Sequence, residues 1–321
     1  MNPHSWRSAR GIALAFVLSA ASIARGFDLQ GHRGARGLAP ENTLIGFHRA
    51  LAEGVSTLEL DIGVTRDGIA VIHHDNALNP NLTRGENGTW IATPIPIRSL
   101  DLRELRRFDV GRMQPGSAYA ARYPQQQAHD GQTVPTLDEL FRMIRARGDD
   151  TVRFNIETKI SPQSPGSTAN PQQMVAAIQR AVRRQAMQGR VSLQSFDWRT
   201  LALAQKLHPP LPTVYLSVRQ PWLDNIDPRW NNGMRLADHG SIARMVKAAG
   251  GFAWSPFHAD ISAMEVAEAH ALGLKVIPWT VNLPAEMERM LDLKVDGLIT
   301  DRPDLARRLL EERRIEIRAS P

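Results

Sequence analysis

Cysteine is absent from the 321 residues. That excludes a disulfide framework, a cysteine nucleophile and any thiolate metal site, so a metal here has to be held by oxygen or imidazole. Long apolar runs are missing too. No stretch of ~20 apolar residues follows the N-terminus, which excludes a polytopic membrane protein. No Gly-x-Gly-x-x-Gly follows a strand-like segment, which counts against a dinucleotide fold. Basic residues outnumber acidic ones by 39 to 33, but they are scattered, with only short pairs such as Arg307-Arg308 and Arg313-Arg314. A nucleic-acid footprint concentrates its charge further, so the reading is a solvated basic surface and no nucleic-acid partner. With 42 % hydrophobic and 22 % charged residues the chain has globular composition, not that of a disordered one. Its length allows one large domain or two small ones.

The N-terminus reads as an address. Arg7 and Arg10 precede an apolar run through Ile12, Leu14, Phe16, Val17 and Leu18, and Ser22-Ile23-Ala24 suits a signal peptidase. The apolar run is short for a membrane span, so a cleaved signal peptide at 1–24 is expected over an uncleaved anchor. Cleavage leaves 37 basic against 33 acidic residues, a net charge of +4. The expectation is a periplasmic or secreted protein with no stable membrane insertion, its folded part running over 25–321.

The rest alternates strand and helix. Strand-like segments fall at 27–32, 57–62, 152–158, 191–195, 213–217, 251–255, 275–280 and 297–300, with helical patterns between most of them. Asn42 reads as the cap of a helix through Glu53. Thr136 and Glu139 form a capping box ahead of Leu137, Leu140, Phe141 and Ile144. Pro171 opens a helix facing inward with Met174, Ile178, Ala181 and Val182. Eight such units predict an α/β fold, a (β/α)8 TIM barrel, with a doubly wound open sheet as the alternative. Residues 69–74 break the alternation. Asp67-Gly68 is a hairpin signal, so this segment reads as an antiparallel arm on the second strand. A turn centred between Arg66 and Asp67 sets His74 opposite Glu59. Residues 76–135 then form an insertion, read as a small cap over the barrel mouth.

Chemistry concentrates at the strand ends. Glu59 and Asp61 are two apart on a strand and share a face. Barrel interiors are filled with apolar side chains, so two inward acids need a cation or hydrogen-bond donors. Glu157 stands near the end of the next barrel strand. Three carboxylates make an oxygen-rich site suited to a divalent cation, Mg²⁺ or Ca²⁺. Solvated acids on a surface strand are the alternative. His32 ends the first strand and His74 the arm, and two histidines beside a cation can act as an acid and base pair. Arg33 and Lys159 would bring positive charge to a phosphate, and Asp75 could orient His74. His73 should face the other way. His48, His129, His208, His239, His258 and His270 read as structural. Trp222 and Trp230, in the stretch 218–237, could form with Trp279 an aromatic wall at the substrate entrance; anchoring of the loop onto outer helices is the alternative.

The ordered set His32-Arg33-Gly34, Pro40-Glu41-Asn42-Thr43, Glu59-Leu60-Asp61, Thr65-Arg66-Asp67-Gly68, His74-Asp75 and Asn155-Ile156-Glu157-Thr158-Lys159 resembles the glycerophosphodiester phosphodiesterase family. Ser195-Phe196, Trp279-Thr280-Val281-Asn282 and Asp296-Gly297-Leu298-Ile299-Thr300-Asp301 extend the resemblance over roughly 28–312, in its exported bacterial form. The family's fold is a (β/α)8 barrel with an insertion after the second strand. The resemblance implies that His32 and His74 are the acid and base, that Glu59, Asp61 and Glu157 hold the metal, and that Arg33 and Lys159 meet the phosphate. It implies metal-dependent hydrolysis of a small-molecule glycerophosphodiester to glycerol 3-phosphate and an alcohol. A lysophospholipase D-type enzyme and a non-catalytic periplasmic binding protein are the alternatives.

Overall fold

The computed structural model describes residues 26–317, so the expected signal peptide at 1–24 lies outside the described residues. Eight parallel strands follow one another around a barrel, each succeeded by a helix. They are β1 (Asp28–Gly31), then α1 (Leu44–Ala52), β2 (Thr57–Val64), the antiparallel arm β3 (Ala70–Ile72) and α2 (Leu137–Ala146). There follow β4 (Arg153–Thr158), α3 (Pro171–Arg184), β5 (Val191–Ser195), α4 (Trp198–Ala204), β6 (Thr213–Ser217) and α5 (Ile242–Ala248). The chain ends with β7 (Ala253–Pro256), α6 (Ala263–Ala271), β8 (Lys275–Val276), α7 (Pro284–Asp292), β9 (Gly297–Thr300) and α8 (Pro303–Glu312). The sheet runs β8-β7-β6-β5-β4-β2-β1-β9, with β3 beside β2. It closes where Ile299 N donates to Pro278 O (2.9 Å) and Val281 N to Ile299 O (2.9 Å). This is the expected (β/α)8 barrel.

Local chemistry explains the outer layer. Thr136 accepts from Glu139 N while the Glu139 carboxylate caps Thr136 N, and α2 buries Leu137, Leu140, Phe141 and Ile144. Asn170 and Gln173 do the same ahead of α3, with Pro171 in its first turn. The Phe141 ring meets Phe154 of β4 edge-on, centroids 4.8 Å apart. Each such side chain contributes about 1.5–3 kcal/mol by leaving water.

Three readings are corrected. Thr43, not Asn42, caps α1, its hydroxyl accepting from Gly46 N. Asn42 sits instead at φ +53, a left-handed conformation that asparagine tolerates. The arm pairs Ile62 with Ile72 and Val64 with Ala70, one residue off the expected register, so the ladder would set His74 level with Leu60. The barrel interior is not filled with apolar side chains. Its β6–β9 half is apolar, with Val214, Ala253, Ile277 and Ile299. The half from β1, β2, β4 and β5 carries a buried polar column. Gln30 Nε2 donates to Asp28 (2.9 Å); Asn155 Nδ2 donates to Gln30 (2.9 Å) and Gln194 (2.8 Å); Gln194 Nε2 donates to Glu59 (2.6 Å).

Candidate active site

The column ends at the C-terminal mouth of the barrel, where strand alternation aims Glu59 and Asp61 of β2 inward beside Glu157 of β4. Asp61 and Glu157 are direct neighbours in the β2–β4 ladder. One carboxylate oxygen from each of the three lies within 4.8 Å of the others, and all three residues are buried. Burial raises the proton affinity of Glu59, and the charges of Asp61 and Glu157 raise it further, to well above the usual carboxylate range. Glu157 is pushed up to about 7, by burial first and by Asp61, against the pull of Lys159. Burial acts on Asp61 in the same sense, but His74, Arg33 and Lys159 override it and hold this carboxyl far below the usual range. Asp61 Oδ1 is buried without a hydrogen-bond partner. Three crowded acids and an orphaned carboxylate oxygen suit a divalent cation with oxygen ligands. The Lys159 ammonium sits beside them, 2.7 Å from Glu157 Oε1 and 3.8 Å from Asp61 Oδ1.

The histidines flank this trio. His32 Nδ1 is 2.7 Å from Asp301 Oδ1, which directs its Nε2 toward Glu59, 3.9 Å from Oε2. His74 Nδ1 is 2.6 Å from Asp75 Oδ1, and its Nε2 is 3.1 Å from Lys159 Nζ. Each ring is thus held at Nδ1 by a carboxylate, a pairing that fixes the tautomer and leaves Nε2 for proton transfer. Burial lowers the proton affinity of both rings. His74 reaches the site because β3 stops at Ile72 and the chain bends, so alternation no longer governs it. His73 N stays in the ladder, donating to Asp61 O, and its ring turns back to Asp75 O at 2.9 Å.

Arg33 follows β1 at φ +50 and Gly34 at +86. A methyl on Gly34 would come within 2.7 Å of Gly46 backbone, so the turn admits only glycine there. This turn lets Arg33 N donate to Glu59 Oε2 (2.9 Å), while the guanidinium spans Glu41 and Asp61. His32, Arg33, Glu59, His74, Glu157, Lys159 and Trp279 all line one cavity of about 530 Å³. Asp61 lies beneath it, fully buried.

Other residues of the site escaped the sequence reading. Arg36 grips Asp301 with two nitrogens (2.8 and 2.9 Å), and Asn282 donates to it as well. Asn42 donates to Asp61 Oδ2 at 2.9 Å. Tyr119, Arg122 and Tyr123 reach the cavity from the insertion, whose own small core joins Leu78, Ile97, Leu105 and Val134 to Val71 of the arm. The aromatic wall is made differently from the expectation. Trp222 and Trp279 line the cavity with Phe196, and the ring of Phe257 bridges Trp222 (5.6 Å) and Trp279 (5.4 Å). Trp230 is buried, its carbonyl accepting from Trp198 N, and takes no part.

A family model for glycerophosphoryl diester phosphodiesterases matches residues 32–305. The chain belongs to this family. As a member of the glycerophosphoryl diester phosphodiesterase family it is a phosphoric diester hydrolase. The glycerophosphodiester phosphodiesterase of Caldanaerobacter subterraneus subsp. tengcongensis is 28 % identical over 273 residues, 85 % of this chain and 93 % of that one. A solved structure from Silicibacter pomeroyi DSS-3 is 36 % identical and superposes with a TM-score of 0.82, covering 91 % of this chain and 96 % of that one. An Oleispira antarctica phosphodiesterase, solved with its product sn-glycerol-3-phosphate, superposes with a TM-score of 0.66 at 22 % identity. It covers 89 % of this chain and 97 % of that one, and shares the fold.

Proposed function

We propose that the protein hydrolyses glycerophosphodiesters to glycerol 3-phosphate and an alcohol, by histidine acid–base catalysis beside a carboxylate-bound divalent cation. One observation carries this reading: two histidines, each held by a carboxylate at Nδ1, flank a cluster of three buried acids, two of which, Glu59 and Glu157, line the same cavity as the histidines. Glu59, Asp61 and Glu157 would hold the ion. Bound there, Mg²⁺ or Ca²⁺ supplies Lewis-acid polarisation of a phosphate oxygen and a template for the substrate.

The chain's own groups do the rest. Arg33 and Lys159 face the phosphate and offset the charge that grows on its oxygens. His32 and His74 divide the proton transfers at Nε2: one takes the proton of the nucleophile, a water or the glycerol 2-hydroxyl, and the other delivers one to the leaving alcohol oxygen; attack by the hydroxyl gives a cyclic phosphate that a water then opens to glycerol 3-phosphate. Asp301 and Asp75 keep the two rings oriented. The reading includes an exported enzyme, periplasmic or secreted, on the leader pattern of residues 1–24 alone. A second reading has one observation in its favour. Trp222 is 60 % exposed at the cavity rim beside Trp279, an apolar entrance that suits a lysophospholipid.

Glycerophosphocholine and lysophosphatidylcholine, assayed side by side with and without EDTA, test all of this. Glycerol 3-phosphate release from the first, lost in chelator, is expected. Full activity in chelator refutes the cation, cleavage of the lysophospholipid alone favours the second reading, and cleavage of neither leaves a binding protein.

A further inference from the structure

We infer that Tyr119, in the insertion, is a positioning residue that acts through Glu41 to hold Arg33 off the metal carboxylates. The inference rests on the function proposed above. Arg33 stands between two attractions. Its Nη1 donates to Glu41 Oε1 at 2.7 Å, and its Nε lies 3.3 Å from Asp61 Oδ2. The Arg33 and Glu41 side chains are only 9 % and 11 % exposed, so water screens neither attraction well. Buried Nε has no hydrogen-bond partner. A guanidinium released from Glu41 would settle onto Asp61 and Glu59, neutralising the acids that a cation needs and vacating the position facing the phosphate. Glu41 supplies the opposing pull.

Glu41 can hold Arg33 only if it is itself held. Its second oxygen, Oε2, accepts from the Tyr119 hydroxyl. Tyr119 lies in the short helix Ala118–Ala121, in the segment that separates the arm from α2. Arg122 stacks over its ring at 4.8 Å and over Tyr123 at 5.6 Å, and Arg36 covers Tyr123 from the barrel side at 4.8 Å. The rings are therefore clasped between arginines, one of which also grips Asp301. Packing accounts for an aromatic ring at 119. The hydroxyl is what reaches the carboxylate, so phenylalanine separates the two roles.

The test compares wild type, Tyr119→Phe, Glu41→Gln and the double variant. The readouts are calorimetric titration with Mg²⁺ and Ca²⁺, kinetics on glycerophosphocholine, and Tm. Losing one hydrogen bond to a charged group should raise KM about 3–10-fold in Tyr119→Phe, with kcat and Tm close to wild type. Glu41→Gln should raise KM further and weaken cation affinity about tenfold, since Arg33 then competes for the acids. On that background Tyr119→Phe should add nothing. Unchanged KM in Tyr119→Phe, a full effect that persists in the double variant, or a loss confined to kcat and Tm overturns the inference. A wild type that neither binds the ions nor hydrolyses the diester overturns the proposed function and this inference with it.

Discussion

Cation binding should displace protons, and its affinity should climb with pH. The perturbation is a shift from pH 8 to pH 6 during titration with Mg²⁺ or Ca²⁺. At the 4.8 Å limit of their separation, and at an effective dielectric of about 20, each pair of ionised carboxylates repels by about 3.5 kcal/mol. Three ionised acids would carry about 10 kcal/mol of repulsion, so the empty site relieves itself with protons and with the Lys159 ammonium. Glu157, pushed to about 7, is about half protonated at neutral pH, and Glu59 is raised well above its ordinary range by burial and by its two acidic neighbours. A cation binds the carboxylate forms, and both groups are raised, so lowering the pH adds the competitor. A displaced proton weakens the ion by up to about tenfold per pH unit, and Glu157 alone, titrating near 7, predicts an apparent Kd at least about tenfold weaker at pH 6 than at pH 8. Calorimetry in buffers of different ionisation enthalpy measures both the slope and the protons released. Glu157→Gln should cut the affinity sharply and flatten the slope below pH 7. A pH-independent affinity with no proton release would falsify the assignment of these acids to the cation.

His32→Ala and His74→Ala should each lower kcat by about 10²–10⁴ with cation affinity retained, whereas His73→Ala, whose ring faces Asp75 O, should change kcat less than about tenfold; equal losses at His73 and His74 refute the assignment. Asp75→Asn should reduce kcat by about 10–100-fold and shift its pH profile, since His74 keeps an oxygen at Nδ1 but loses the carboxylate charge there; an unshifted profile counts against this role of Asp75. Trp222→Ala should raise KM for glycerophosphocholine more than for glycerophosphoglycerol, because a quaternary ammonium gains about 0.5–2 kcal/mol on an aromatic face, while Trp230→Ala should lower Tm and leave both KM values alone; identical effects on the two substrates reduce Trp222 to packing.

Much of the architecture was legible because it is local. Strand spacing, the Thr136 capping box and the Glu59-Leu60-Asp61 alternation each follow from residues within a few positions. The acidic trio needed only two neighbouring strands, and β2 and β4 are neighbours. What was missed depends on long-range partners. Asp301 meets His32 across 269 residues, and nothing near either residue announces the pairing. Asn42 looked like a helix cap because asparagine favours that position, yet its left-handed backbone turns the amide toward Asp61. The arm's register slipped by one because the turn at Arg66-Asp67 does not fix it alone. His74 still enters the cavity, for a reason alternation cannot express: the strand has already ended.

The polar column inside the barrel ties the sense of every amide to its neighbours. Asn155 spends both hydrogens of its amide, one toward Gln30 and one toward Gln194. Each glutamine must then present oxygen to Asn155 and nitrogen outward, toward Asp28 at one end and Glu59 at the other. Turning any one amide over sets donor against donor or acceptor against acceptor at the next. An Asp28→Asn change at the N-terminal end of the barrel, several residues from any chemistry, could keep an oxygen for Gln30 only by turning its amide nitrogen onto the Ser56 and Thr57 hydroxyls, which now donate to Asp28 and would have to accept. The other outcome, reversal of the whole column, would leave Glu59 facing an oxygen instead of a donor. The floor of the barrel is therefore not free to drift in sequence, and its constraint originates at the mouth.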